Sequence, residues 1–293
     1  MYGAAAGTGA RATRDDGGMR LVASDLDGTV VGPDGEFRTR TLSALAACVE
    51  RGIEIVFVTG RPTRWMPPIA AATGHRGLAI CSNGAVLYDL GSEQVLGSQP
   101  LVPEVVHDVV QLLRSAFGAE LGEPSFALET LRGFRREPGY LPRHEVALAA
   151  PIGSISELLD DDPGVIKVLC RTEVATSDAM LAVARVALDG VAEPVHSAGA
   201  GASARPGGML EISALGVSKA SALARVAADR GIDQADVVAF GDMPNDVPML
   251  RWAGRGYAMA GGHPEAIAAA DAVAPPFDQD GVAQVLEALL DGR

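Results

Sequence analysis

Leu21-Val22-Ala23-Ser24-Asp25-Leu26-Asp27-Gly28-Thr29 is the stretch of this 293-residue chain from which the rest can be read. A short, largely apolar run ends in two aspartates separated by one leucine. Placing two carboxylates where a buried strand surfaces is costly, because burial disfavours the charged form and like charges repel. A cation between them removes both penalties, so the stretch predicts a strand that ends in a metal site.

Working outward, the strand that begins near Met19 is followed by a turn at Pro33-Asp34-Gly35. A helix comes next, with Leu42, Leu45, Ala46 and Val49 on one face and Gly52 as its stop. Ile53-Glu54-Ile55-Val56-Phe57-Val58 and Leu78-Ala79-Ile80-Cys81 read as two further buried strands with helix between them. Late in the chain come Val237-Val238-Ala239-Phe240, then the weaker Tyr257-Ala258-Met259 and Ala272-Val273-Ala274, and a final helix over 282–290. This alternation predicts an α/β fold, a Rossmann-like parallel sheet covered on both faces.

Between them the texture changes. Helix is expected over 103–117 and 177–188, and short strands near 126–129 and 165–170, with Pro151, Gly153, Pro163 and Gly164 as punctuation. The expected organisation is a flexible tail over 1–18, a catalytic core over 19–87 and 207–293, and an inserted α/β domain over 88–206. Gly199-Ala200-Gly201-Ala202 reads as a loop.

Bulk properties narrow the function. A formal charge of −13 opposes a broad nucleic-acid or anionic-membrane surface, which would need clustered Lys and Arg. No apolar run reaches the roughly 18 residues of a membrane span, and the start of the chain lacks the apolar segment of a signal peptide. A cytoplasmic protein, monomeric or a small homo-oligomer, is expected. Cys48, Cys81 and Cys170 lie in apolar stretches and read as reduced packing residues. The five histidines show no metal-ligand spacing, so oxygen ligands are expected in place of a histidine-rich zinc centre.

Ligands of open parallel sheets gather at the carboxyl ends of the strands. Asp25, Thr59-Gly60-Arg61 and Gly241-Asp242-Met243-Pro244-Asn245-Asp246 all follow strands at that edge. A calcium loop beginning at Asp25 is disfavoured, because its sixth position is Val30 where such loops need glycine. Thr59, taken alone, reads equally as an N-cap for a helix that Pro62 helps to start, and Asn245 or Asp246 as another. Lys219 opens a helix, where a cation opposes the helix dipole; taken alone it reads as an ordinary solvated lysine, but its place between the other motifs fits the local rule-breaking expected at functional sites.

Asp25-Leu26-Asp27-Gly28-Thr29, Thr59, Lys219 and Asp242 through Asp246 together resemble the four motifs of the haloacid dehalogenase superfamily of phosphohydrolases, in the family's order. Val58-Thr59-Gly60-Arg61, Ser82-Asn83-Gly84-Ala85 and Gly216-Val217-Ser218-Lys219 are similar to the Cof-type branch, subfamily IIB, whose α/β cap lies between the second and third motifs. The resemblance spans about residues 19–290. It implies a Mg²⁺-dependent phosphatase in which Asp25 is the nucleophile, Asp27 the acid and base, and Thr59 and Lys219 hold phosphoryl oxygens. It further implies Mg²⁺ on Asp25, the backbone carbonyl of Asp27, and Asp242. Asn245 would contact phosphate, and Asp246 would orient Lys219 or a metal-bound water. Gly60, Arg61 and Asn83 are candidate substrate contacts.

The implied substrate is a small phosphorylated metabolite, a sugar phosphate first, with a nucleotide or cofactor phosphate such as pyridoxal phosphate as further candidates. A phosphomutase or phosphotransferase would use the same intermediate. A non-catalytic phosphometabolite-binding module would use the same fold, but binding alone needs no nucleophile.

Overall fold

The computed structural model describes residues 18–141, 149–160, 164–198 and 203–292. The expected tail, the Gly199–Ala202 tract, and Arg143 and His144, two of the basic residues of the insertion, fall outside these apart from Gly18. The main sheet has eight strands in the order β13-β12-β11-β1-β2-β3-β4-β5. These are β1 (Leu21–Ser24), β2 (Glu54–Val58), β3 (Leu78–Cys81), β4 (Val86–Asp89), β5 (Gln94–Ser98), β11 (Val237–Gly241), β12 (Arg255–Met259) and β13 (Ala272–Ala274). The six from β13 to β3 run parallel, and the β4–β5 hairpin adds antiparallel at the edge.

Successive side chains of a strand point to opposite faces, and β1 shows this directly. Val22 packs with helices Thr39–Glu50, Met66–Thr73 and Gly281–Leu290, whereas Leu21 and Ala23 pack with Lys219–Asp229, Val247–Trp252 and Pro264–Ala269. Helices therefore cover both faces, as the alternating sequence predicts. The first helix is rotated from its expected face: Thr41, Ala44, Leu45 and Cys48 are buried, while Ala46 and Val49 are exposed. Leu45 is common to both readings; the other core positions go to small residues that let the helix lie close to the sheet.

A second sheet, all antiparallel, has the order β7-β6-β8-β10-β9. Its strands are β6 (Ser125–Thr130), β7 (Gly133–Arg136), β8 (Val165–Arg171), β9 (Ala192–Val195) and β10 (Met209–Ala214). One face buries Phe126, Leu128, Val168, Cys170, Leu210 and Ile212 against helices Pro103–Ala116, Ile155–Leu159 and Ser177–Ala187. The opposite face carries Ala127, Glu129, Lys167, Leu169, Arg171, Met209 and Glu211 and looks towards the core.

The boundaries differ from the expected ones. Residues 88–98 belong to the main sheet, because β4 and β5 extend it beyond β3, with the Asp89 carboxylate accepting from Gly91 N and Ser92 N in the hairpin turn. At the other end β10 lies between β8 and β9, so the second sheet runs through Ala214. Pro206-Gly207-Gly208, which looked like a boundary, is a turn inside that unit, where Gly208 N donates to Ala175 O at 2.9 Å.

All three cysteines are free and buried, and burial pushes the Cys48 and Cys81 thiols up to about 11 and about 12. Among the described residues no helix is long and apolar enough to cross a membrane.

Candidate active site

The chain leaves β1 towards β2 on one side of the main sheet and reaches β11 on the other, which makes the β1/β11 junction the switch point of the sheet. Asp25 follows β1 there, its N–H donating to Phe240 O at 2.9 Å. Thr59 follows β2, and Asp242 follows β11. Three strand ends from distant parts of the chain thus meet at one edge.

Lys219, fully buried, donates from Nζ to Asp25 Oδ1 at 2.7 Å and to Asp246 Oδ1 at 2.6 Å. Asp246 Oδ2 accepts from the backbone N–H groups of Asp242 and Met243, both at 2.9 Å, so it orients the lysine with one oxygen and the Asp242 turn with the other. Ser218 caps the helix that begins at Lys219, its side chain accepting from Ser221 N, which fixes the lysine at the first turn. Burial alone would lower the lysine's pKa, but Asp246 and Asp25 hold it above the ordinary range.

Carboxylate oxygens of Asp25, Asp242 and Asp246 lie within 4.8 Å of one another. Burial raises Asp25 to about 7 against the pull of Lys219, with Asp246 and Asp27 adding to the rise. Asp242 is raised well above its ordinary value by burial and by the carboxylates of Asp25, Asp246 and Asp27, against the pull of Lys219. Its Oδ1 is buried without a hydrogen-bond partner among the described residues. An all-oxygen, multiply charged donor set with one orphaned carboxylate oxygen fits a hard divalent cation such as Mg²⁺. Gly28, at φ +81°, lets the first loop pass this carboxylate, since a Cβ there would stand 2.3 Å from Asp242 Oδ2.

Asp27 faces the cleft, its carboxylate gripped by both Nε and Nη2 of Arg61. Thr59 is fully buried and its Oγ1 accepts from Arg61 N at 3.1 Å, a turn-forming contact of the kind the capping alternative described. Asn245 lines the cleft; Asn83, also buried, stands behind it and donates to Glu211.

The cleft, of about 590 Å³, lies between the two sheets. Its floor is Asp25, Asp27, Gly60, Arg61 and Asn245, and its roof Glu129, Lys167, Leu169, Arg171 and Glu211, with Trp65, Phe134 and Tyr140 as an aromatic wall. Lys167 is one of the basic residues of the insertion that the sequence offers as candidate contacts; Glu129, Leu169, Arg171 and Glu211 are not singled out there, because each lies in a short strand, β6, β8 or β10, that otherwise reads as core. The available signal was the alternation of Lys167, Leu169 and Arg171 within Val165–Arg171. A second groove, of about 650 Å³, runs beside Leu42, Val49 and His75 and holds none of the strand-end residues.

Histidines do converge elsewhere, contrary to what their spacing suggested. Nε2 of His196 and of His263 lie 2.8 and 3.1 Å from Asp178 Oδ1. His263 Nδ1 accepts from Glu265 N, so its Nε2 carries the proton and donates to Asp178. With the paired Arg185 and Glu265, this knot ties the inserted unit to the core.

The parallel-sheet core, interrupted by an inserted antiparallel unit, thus carries a buried lysine–aspartate cluster at its switch point. The sequence pattern of haloacid dehalogenase-like hydrolases matches residues 22–286, and the chain belongs to that family. It is 29% identical over 265 residues to the HMP-PP phosphatase of Enterobacter sp. (strain 638), covering 85% of this chain and 87% of that one. Its fold is similar to that of a haloalkanoate (HAD) superfamily phosphatase from Bacteroides thetaiotaomicron, with TM-score 0.75, 21% identity, and coverage of 96% and 99% of the two chains. A HAD subclass IIB sugar phosphatase gives TM-score 0.71 at 21% identity, over 92% and 98% of the chains.

Proposed function

We propose that this chain is a Mg²⁺-dependent phosphatase that hydrolyses a small phosphorylated metabolite through an aspartyl-phosphate on Asp25. The observation that carries the reading is the buried Lys219, held between Asp25 and Asp246 beside a partnerless Asp242 oxygen. Binding alone would not require a carboxylate so placed and so strongly perturbed.

In the first half-reaction a carboxylate oxygen of Asp25 attacks phosphorus and the bond to the leaving alcohol breaks, with Asp27 giving that oxygen its proton. In the second, water attacks phosphorus, Asp27 takes the water's proton, and the Asp25 carboxylate leaves. Lys219, Thr59 and Asn245 would hold phosphoryl oxygens, Lys219 balancing charge as it develops. Mg²⁺, held by Asp25, the Asp27 carbonyl and Asp242, would supply neutralisation between the attacking carboxylate and the phosphate dianion. The inserted sheet, as a cap, would exclude water and read the leaving group.

A sugar phosphate is the first candidate substrate. The wall of Trp65, Phe134 and Tyr140 favours a second, a phosphorylated heteroaromatic alcohol, since flat rings pack well on aromatic faces. The relative named an HMP-PP phosphatase supports hydrolysis of a small phosphorylated compound in either case. Measuring kcat/KM for phosphate release across both groups, with and without Mg²⁺, tests the reading. Release of phosphate to water is expected; transfer to an added acceptor alcohol instead would make the protein a phosphotransferase, and no turnover of any would leave a binding module.

A further inference from the structure

Glu211, Asn83 and Asn245 come from three separate segments, yet their side chains form one line of hydrogen bonds. Glu211 Oε2 accepts from Asn83 Nδ2 at 3.0 Å, and Asn83 Oδ1 accepts from Asn245 Nδ2 at 3.1 Å. Glu211 is further held by Lys167 Nζ on Oε2 and Ser197 Oγ on Oε1, both at 2.5 Å. All three members of the line are buried. Gly60 makes room for it: a Cβ there would come within 3.1 Å of Asn83 Oδ1 and 3.4 Å of Glu211 Oε2.

The direction of this line follows from chemistry. Burial works against ionisation of Glu211, but Lys167 and the donors around it hold its pKa below the ordinary value, so it only accepts. Asn83 must therefore turn its NH₂ to Glu211, and the atom this places against Asn245 is its carbonyl oxygen. Asn245 must answer with its own NH₂. That orientation leaves Asn245 Oδ1 buried and without a partner among the described residues, an unfavourable arrangement that the far end of the line imposes. The second proton of the Asn245 amide remains for the cleft, which this residue lines. The opposite orientation would offer an anion a carbonyl oxygen.

We propose that Glu211 is a positioning residue which, through Asn83, fixes the Asn245 amide so that it offers N–H to the phosphoryl group. The inserted unit would thus set the polarity of the core's phosphate site. This rests on the reading of Asn245 as a phosphate contact.

Calorimetric binding of inorganic phosphate, with Mg²⁺ in every sample, tests it. Asn245→Ala should raise Kd about tenfold, the usual scale for a hydrogen bond to a charged group. Asn83→Ala, which leaves the Lys167–Glu211 pair intact, should raise Kd comparably, and the double variant should bind no more weakly than Asn245→Ala alone. Glu211→Gln gives the sharpest arm. Removing a buried negative charge near an anion site should tighten phosphate by Coulomb's law, whereas loss of the enforced polarity should weaken it, by at least about threefold. Equal or tighter binding by Glu211→Gln, or an unchanged Kd in Asn83→Ala, overturns the proposal. Should Glu211→Gln fail to fold with Lys167 unpaired, Asn83→Ala and the double variant decide. An unchanged Kd in Asn245→Ala would instead remove the phosphate contact itself, and the proposal with it.

Discussion

The Lys219 ammonium meets the Asp25 carboxylate at 2.7 Å across a separation of 194 residues in the chain. Both groups are buried, and Lys219 is also the partner of Asp246. Breaking such an arrangement from one side leaves uncompensated buried charge, at about 3–5 kcal/mol. Lys219→Met should therefore lose stability on that scale in urea unfolding and lose at least about a hundredfold in kcat/KM.

Gly28 serves the Asp242 carboxylate more than the fold. Gly28→Ala should cost only about 1 kcal/mol of stability for its positive φ. The new Cβ would nevertheless push against Asp242 Oδ2. Titration of activity with Mg²⁺ should show a higher half-saturating concentration in this variant.

Arg61 grips an Asp27 carboxylate whose side chain is 56% exposed, and exposed pairs contribute roughly 0–1 kcal/mol. Arg61→Ala should leave the melting temperature nearly unchanged. Activity should fall, because Asp27, the proposed acid and base, loses the group that aims it into the cleft. A large loss of stability would show that the pair is structural.

Much of this was legible in the chain. Strands β1, β2, β3 and β11 are short apolar runs bounded by turn residues, and their polar ends mark the site, because a parallel sheet delivers its carboxyl ends to one edge. Lys219 stood out by sitting in a helix's first turn. The Lys167–Glu211 pair did not, because a charged residue within a buried strand acquires meaning only when a distant strand supplies its partner. The meeting of His196 and His263 at Asp178 is of the same kind: no spacing announces it. The boundaries were missed because Gly and Pro mark turns without saying which sheet the next strand joins.

If Asp25 and Asp242 hold Mg²⁺ as proposed, its binding depends on pH in a defined sense. Asp25, raised from 3.8 to about 7, binds a proton in the folded state that the unfolded chain has already released. This contribution to stability is complete below about 3.8 and is lost as pH rises through about 7, where the Asp25 carboxylate ionises among its acidic neighbours. Mg²⁺ competes with those protons. The rise in melting temperature on adding Mg²⁺ should be larger at pH 8 than at pH 5.5, and Asp242→Asn should abolish most of the difference.

Every step of the proposed cycle depends on Asp25 acting as the nucleophile. Phosphate release from an aryl phosphate by Asp25→Asn, measured beside its circular dichroism spectrum, tests it most directly. A native spectrum with kcat reduced at least about a thousandfold is expected. Full Mg²⁺-dependent turnover by that variant would contradict it.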